Sequence, residues 1–305
     1  MTGRFRKALH DNWISILTVL ALIAGWQIAG MLSPTSPLRE SPIVPPWEFI
    51  FGRALIGLSD YWRIDLWAPV PQFGGQQTLL GAVLAIGFHS ALTLFRLIAG
   101  LCLGAIVGTL LGLALSWSEP VRRLLAPTLH LVRMIPLLAL VPLFQFWFGS
   151  SNMSAIGFVG YGVGVIYLVA TVNAVSNVPS RYVEAARTMG ASKLRTYRTV
   201  IVPAILPELF SSIFLTLGLA WSAVIGAEFI GVESGIGRMI IWSDYFSNTG
   251  RMALITLIIL GYAMISFALV ARLQAWVLRW LPQQGQSRGR AVARGGAAAE
   301  KRQKK

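Results

Sequence analysis

The residues able to do chemistry in this chain are few and far apart. Its 12 Asp and Glu and three His are scattered over 305 residues. None has companions at metal-ligand spacing, so no metal site is expected. Cys102 is the one cysteine, which excludes an intrachain disulfide and a cysteine-held metal; inside its apolar run it reads as a small buried residue. A membrane enzyme would need titratable groups gathered at one face, and these acids are dispersed. No P-loop sequence occurs, so no catalytic residue and no cofactor is expected on this chain. What remains is binding and force transfer: charges set in apolar stretches, and one basic segment, EAARTMGASKLRTYRTVIVP (184–203).

The charges in apolar surroundings are Arg96, Arg133 and Glu228. An ionisable residue inside a membrane segment is a functional hypothesis by default. An inward-facing arginine would stabilise an anion in passage, while snorkelling to an interface or ion pairing between helices are the favoured alternatives. Gln145, Thr171, Asn173, Thr216 and Ser222 are polar groups able to line a wet pathway, and helix-to-helix hydrogen bonding accounts for them equally. Arg96, Arg133, Gln145, Asn173 and Ser222 are taken as the candidate pathway set. His89, near a helix end, reads as structural.

In the basic segment and just before it, Ser180 can cap a helix whose first turn is Arg181-Tyr182-Val183-Glu184. Gly190 suits the left-handed residue that ends it. Tyr182, Ala185, Ala186 and Met189 fall three and four apart and form one small-surfaced face. Ser192 can cap a second short helix through Leu194, Tyr197 and Val200 toward Pro203. Two short helices at an angle make a knob that fits a partner's groove; a basic amphipathic loop resting on lipid headgroups is the alternative.

The elements that position these residues follow from composition. Hydrophobic residues are 55% and charged residues 12% of the chain, against about 25% charged in a soluble domain. This is an all-α integral membrane protein. Trp13–Leu32 is a first span, with Arg4, Arg6 and Lys7 before it; it is too long for a signal-peptide core, and no A-x-A site follows. Residues 33–76 are rich in proline and carry Trp47, Phe49, Phe51, Trp62 and Trp67, pieces suited to the outer interface. Residues 78–117 are apolar throughout, well beyond a span of about 20 residues. They are either an interfacial helix (78–94) leading into a span (95–117), or a two-span hairpin. Further spans fit Leu124–Phe148, Met153–Ser176, Leu206–Ile230 and Met252–Leu278.

Charge selects between these. A single span at 95–117 gives six transmembrane helices with N- and C-termini cytoplasmic, and puts Arg122-Arg123 and the 177–205 loop inside; a hairpin would leave the basic ends in disagreement. The organisation is then a cytoplasmic N-terminus (1–12), a membrane domain (13–280) and a basic, unstructured cytoplasmic tail (281–305). From Arg279 onward there are eight basic residues and one acid, Glu300, a large share of the net +14. That placement reads as positive-inside bias and contact with anionic lipid. The basic residues lack interleaved aromatics, so no nucleic acid is expected. Gly100, Gly104, Gly108 and Gly112, one turn apart, mark a face for close helix packing, within the subunit or across a dimer.

The spacing of the basic segment adds a resemblance. Glu184-Ala185-Ala186, Gly190, Val200 and Val202-Pro203 match the coupling loop in inner-membrane permease subunits of binding-protein-dependent ABC importers. The ending V-I-V-P departs mildly from that family's I-x-L-P. VPPWEFIF (44–51), HSALTLFRLIAG (89–100), RMIPLLALVPLFQFWFG (133–149) and GAEFIGVESGIGRMI (226–240) resemble its nitrate/sulfonate/taurine branch. Residues 59–86 are longer than in that branch, and the basic tail lies outside the resemblance.

The resemblance implies the type I permease fold in a bacterial cytoplasmic (inner) membrane. The expected partners are a second permease subunit, more readily a copy than a paralogue, ATP-binding cassette ATPase subunits holding ATP and Mg, and an external solute-binding protein. It implies that Arg181, Glu184, Ala185, Ala186, Gly190 and Pro203 serve ATPase coupling, and that 231–248 forms the outer mouth. Taurine or another alkanesulfonate is the first expectation for the solute, nitrate or bicarbonate the second. An ion-coupled secondary transporter would show internal repeats and a midplane acid, and neither is clear.

Overall fold

A computed structural model describes residues 13–34, 41–64 and 67–279. The basic N-terminus and the basic tail lie outside the described residues. The chain separates into two compact units, residues 1–264 and 265–305. The described part of the second comprises the last turns of one helix, where the Arg279 guanidinium lies 5.9 Å from the centre of the Trp276 ring.

Every regular element among the described residues is helical. We number the main helices α1 Trp13–Leu32, α2 Leu79–Ser116, α3 Glu119–Met134, α4 Val141–Phe148, α5 Asn152–Asn177, α6 Ser180–Thr188, α7 Lys193–Ile230, α8 Ile236–Tyr245 and α9 Thr249–Val277. Five of them, α1, α2, α5, α7 and α9, are long and apolar enough to cross a membrane, and the bent pair α3–α4 makes a sixth span if counted as one.

Two expectations change here. Residues 79–116 are neither an interfacial helix plus a span nor a hairpin, but one continuous helix of 38 residues, about 57 Å long. Nothing in its interior stops it: it holds no proline, and Thr78 caps its start by accepting from the Gly81 N–H at 3.1 Å. One face of its first turns is buried against the chain before it, where Ala85 joins Trp62, Ala68 and Val70 in a small core. Conversely, 124–148 is not one straight span. The two halves meet at 80°, because Ile135 is extended (ψ 123°) ahead of Pro136, which disfavours helical backbone in its predecessor.

The glycine stripe settles its own ambiguity. Gly100, Gly104, Gly108 and Gly112 are all buried against α5, within the subunit. A Cβ at Gly104 would lie 2.5 Å from the Gly160 carbonyl oxygen, and one at Gly100 2.6 Å from the Val159 Cβ. Gly160 and Gly164 of α5 receive Gly104 and Gly108, while Gly100 packs on Val159 and Gly112 on Thr171. Cys102, two residues from Gly100 and Gly104, points away from this seam and is exposed rather than buried.

A second core joins the 47–61 segment to α8 and α9 through Ile50, Leu58, Ala82, Ile236, Met239, Leu254 and Ile255. The first helix, α1, is tied to that segment by hydrogen bonds: the Trp26 indole donates to the Pro45 carbonyl at 2.9 Å, and the Trp47 N–H to Gln27 Oε1 at 2.9 Å. The rest of α1 leaves an apolar surface open, with only Gly30 buried.

Candidate functional site

Helix α6 stands between α5 and α7, as the spacing of the basic segment requires. Its C-terminus is closed by a Schellman turn: the Ala191 N–H donates to the Ala186 carbonyl at 3.0 Å and the Gly190 N–H to the Arg187 carbonyl at 2.9 Å. That turn needs a left-handed residue, and Gly190 supplies it at φ +78°. Ser192 caps the next helix by accepting from the Arg195 N–H at 3.4 Å. At the start of α6 the sequence expectation fails. The N-cap residue is Pro179, with no side-chain cap, and Ser180 is already helical.

The expected second short helix is also different. From Lys193 the chain runs unbroken into the fifth apolar helix, through a widened π turn at Tyr197–Ile201. Pro203 lies just beyond that turn. Its ring would collide with the carbonyl four residues back in a regular helix, and the wider turn accommodates it without ending the helix.

Tyr182, Ala185 and Met189 are exposed on α6, Met189 at 82%, as are Arg181 and Glu184. The Arg181 guanidinium lies 5.1 Å from the Tyr182 ring centre. Ala186 departs from this face: it is 4% exposed, buried where α6 meets the first turns of α7. Its methyl is the joint of the knob rather than its surface.

A residue that sequence reasoning missed sits beside this joint. Trp117, at the end of α2, has its ring centroid 4.7 Å from that of Tyr197, and Lys193 Nζ lies 4.7 Å from the Trp117 ring centre. This places a cation–π contact and an aromatic pair on the first turns of α7. Arg122 of α3 donates to the Ser176 hydroxyl, and Asn177 donates to Glu208 at 3.2 Å. The ends of α2, α3, α5 and α7 are thereby linked around α6. The available signal was an aromatic residue at a span end beside a basic loop.

The candidate pathway residues divide. Arg133 and Asn173 line one cavity of about 460 Å³ between the end of α3, α5 and α7, with Tyr161 and Ser212 as its other polar walls and Leu137 and Val169 among the apolar ones. Arg133 is exposed and has no ion-pair partner among the described residues. Gln145 lies elsewhere, beneath Gly231, where a Cβ would strike its amide. Ser222 bonds back to the Gly218 carbonyl at 3.2 Å, Thr171 to Tyr167 at 2.6 Å and Thr216 to Ser212 at 3.0 Å; these three are occupied within their own helices.

Arg96 is in a different setting again. It pairs with Glu228 at 2.6 Å, the two side chains being 1% and 0% exposed. Its remaining donors go to Asn152 Oδ1 at 2.8 Å, the Ser234 carbonyl at 2.7 Å and the Ser234 hydroxyl at 2.8 Å. Glu228 also accepts from the Thr93 hydroxyl at 2.9 Å and the Gly237 N–H at 2.9 Å. His89 Nδ1 accepts from the Gly235 N–H at 2.9 Å, leaving Nε2–H to face the Tyr61 carbonyl at 3.3 Å. The node fastens the 231–237 loop onto α2.

Comparison with known proteins follows the same outline. Residues 100–281 match the model of the family described as "Binding-protein-dependent transport system inner membrane component". The chain is 31% identical over 192 residues to the putative aliphatic sulfonates transport permease protein SsuC of Bacillus subtilis (strain 168), covering 63% of this chain and 70% of that one. It is 27% identical over 278 residues to the taurine transport system permease protein TauC of Escherichia coli (strain K12), covering 90% of each. Among solved structures, one of inward-facing conformations of the MetNI methionine ABC transporter shares the fold. The TM-score is 0.55 at 19% identity, over 65% of this chain and 96% of that chain.

Proposed function

The chain belongs to the binding-protein-dependent transport system inner membrane component family, and from that premise we propose that it passes taurine or another alkanesulfonate inward across the cytoplasmic membrane. Two copies enclose the pathway, with chain termini on the cytoplasmic side. Each rests on a separate ATPase subunit that holds ATP and magnesium, and an external solute-binding protein delivers the anion to the opposite face.

The observation that carries this reading is α6, an exposed helix closed by Gly190 and followed at once by α7, which a π turn keeps continuous past Pro203. Glu184 meets a basic residue in a groove of the ATPase, and Tyr182, Ala185 and Met189 fill the groove. Closure of the ATPases on ATP draws the two α6 helices together. The displacement passes up α7 directly and into α2 through Trp117, opening the pathway outward; hydrolysis resets it. Sulfonate as cargo is supported by the names of the relatives and by Arg133, which has no ion-pair partner among the described residues and faces a cavity with Asn173 and Ser212.

Affinity-purified permease is expected to bring down an ATPase subunit. Proteoliposomes holding the complex are expected to accumulate taurine only with ATP inside and binding protein outside. Arg133→Gln should lower that uptake while leaving ATPase association unchanged. Uptake that continues on a proton gradient with ATP exhausted sinks the importer reading in favour of an ion-coupled transporter.

A further inference from the structure

At the end of α2 remote from Trp117, the segment before that helix builds a second pocket that the transport reading leaves unused. Its volume is about 890 Å³, and it is lined by Arg53, Arg63 and Arg251, with Tyr61, Trp242 and Phe246 as aromatic walls. Asp60 is the one acid in the lining, and it is already engaged. Arg251 Nη2 lies 2.8 Å from its Oδ2, and Gln77 Nε2 donates to its two oxygens at 2.8 and 3.1 Å. Arg53 and Arg63 have no carboxylate partner among the described residues; the Arg53 guanidinium lies only 5.9 Å from the Phe49 ring centre. Among the described residues Trp242 Nε1 is buried without a hydrogen-bond partner, and so is Arg251 Nε, which lies against Gly57.

This arrangement is short of acceptors. A buried donor left unpaired costs free energy that an incoming acceptor recovers. Guanidinium forks suit planar or tetrahedral oxyanions, which they bind through paired charge-assisted hydrogen bonds. Aromatic walls beside them suit an apolar tail. We infer that this pocket binds the oxyanion head of a small amphipathic molecule, a sulfonate or a phosphate, with the apolar part against Trp242 and Phe246. Two sources carry that chemistry: the transported solute on its way in, and the head group of an anionic phospholipid. The pocket shares no residue with the Arg133 cavity or with α6, so it stands whether or not the transport reading does.

The test uses the full chain in phosphatidylcholine nanodiscs, without ATPase, titrated with dansylate as the probe. Saturable binding is expected. It should weaken about tenfold in Arg53→Gln/Arg63→Gln, the loss expected for charge-assisted contacts, and return in large part in Arg53→Lys/Arg63→Lys. Both arginines are exposed, so an unchanged melting midpoint should accompany the change. Displacement of dansylate by excess ethanesulfonate assigns the pocket to solute; weakening on adding phosphatidylglycerol to the disc assigns it to lipid. Dansylate that binds the Gln variant as tightly as the parent, or that neither competitor displaces, overturns the inference.

Discussion

Arg96 of α2 and Glu228 of α7 meet at 2.6 Å in an environment closed to solvent, and together they hold the loop between α7 and α8 in place. Gly235, at φ +115°, lets the backbone pass directly over the Glu228 carboxylate. Neither charge is available to a passing anion in this arrangement. The pair is a clasp for the loop between α7 and α8, and its energetics are those of a buried ion pair.

Removing one member leaves the other charge buried and unpaired, which costs about 3–5 kcal/mol, whereas replacing both with apolar residues of similar volume is far milder. Glu228→Gln and Arg96→Met are therefore each expected to lower the melting midpoint of the purified permease markedly. Arg96→Met/Glu228→Met should recover part of the loss. Single variants as stable as the parent would show that the pair does not hold the loop.

Helix α2 can approach α5 only because the glycines lack a Cβ. Gly104→Ala would press a methyl to 2.5 Å from the Gly160 carbonyl oxygen, and Gly108→Ala would meet the Gly164 carbonyl in the same way. Each is expected to destabilise by about 1–3 kcal/mol through overpacking. Gly87→Ala, with nothing within 4 Å of the added carbon, should not destabilise and should gain up to about 1 kcal/mol from helix propensity. Thermal unfolding followed by size-exclusion fluorescence separates the two outcomes.

Gly190 at φ +78° admits a side chain only with strain of about 1–2 kcal/mol. Gly190→Asp should therefore distort the end of α6, and Glu184→Lys should reverse the one acidic contact on its exposed face. Both variants are expected to insert in the membrane normally, to retain less ATPase on co-purification and to lose uptake. Normal uptake in both would remove α6 from the mechanism.

Trp117→Ala removes both the Tyr197 pair and the Lys193 contact while leaving α6 itself untouched. The expected result is a permease that still binds its ATPase but transports less for each ATP hydrolysed. The ratio of uptake to hydrolysis in proteoliposomes measures this. A Trp117→Phe variant should restore most of that ratio, and a ratio unchanged in Trp117→Ala would leave α7 as the sole route.

What could be read in advance was local. The end of α6 depends on residues 186–191, so Gly190 and Ser192 announce it through backbone preference and short-range hydrogen bonds. The membrane helices show as apolar runs because a backbone in lipid must satisfy its own hydrogen bonds, and α1, α5 and α9 match their apolar runs closely. Where a boundary rested on length alone, as in 78–117, the expectation failed; nothing in that run interrupts the helix, and span length is not a stop signal.

The tertiary structure decided what depends on partners distant in the chain. Whether four glycines face a neighbouring helix or another subunit cannot be inferred from their spacing, and here one face of α5, from Ile156 to Thr171, receives them. Arg96 and Glu228 looked alike with Arg133 as charges in apolar surroundings. Packing brings the first two together across 132 residues and leaves the third facing a cavity. Sequence by itself determined the apolar helices α1, α5 and α9 and the Gly190–Ser192 turn that ends α6, because those follow from i to i+4 interactions. Which charges neutralise one another and which remain open to a ligand belongs to the fold, because Coulomb energy and desolvation depend on distance and burial rather than on order along the chain.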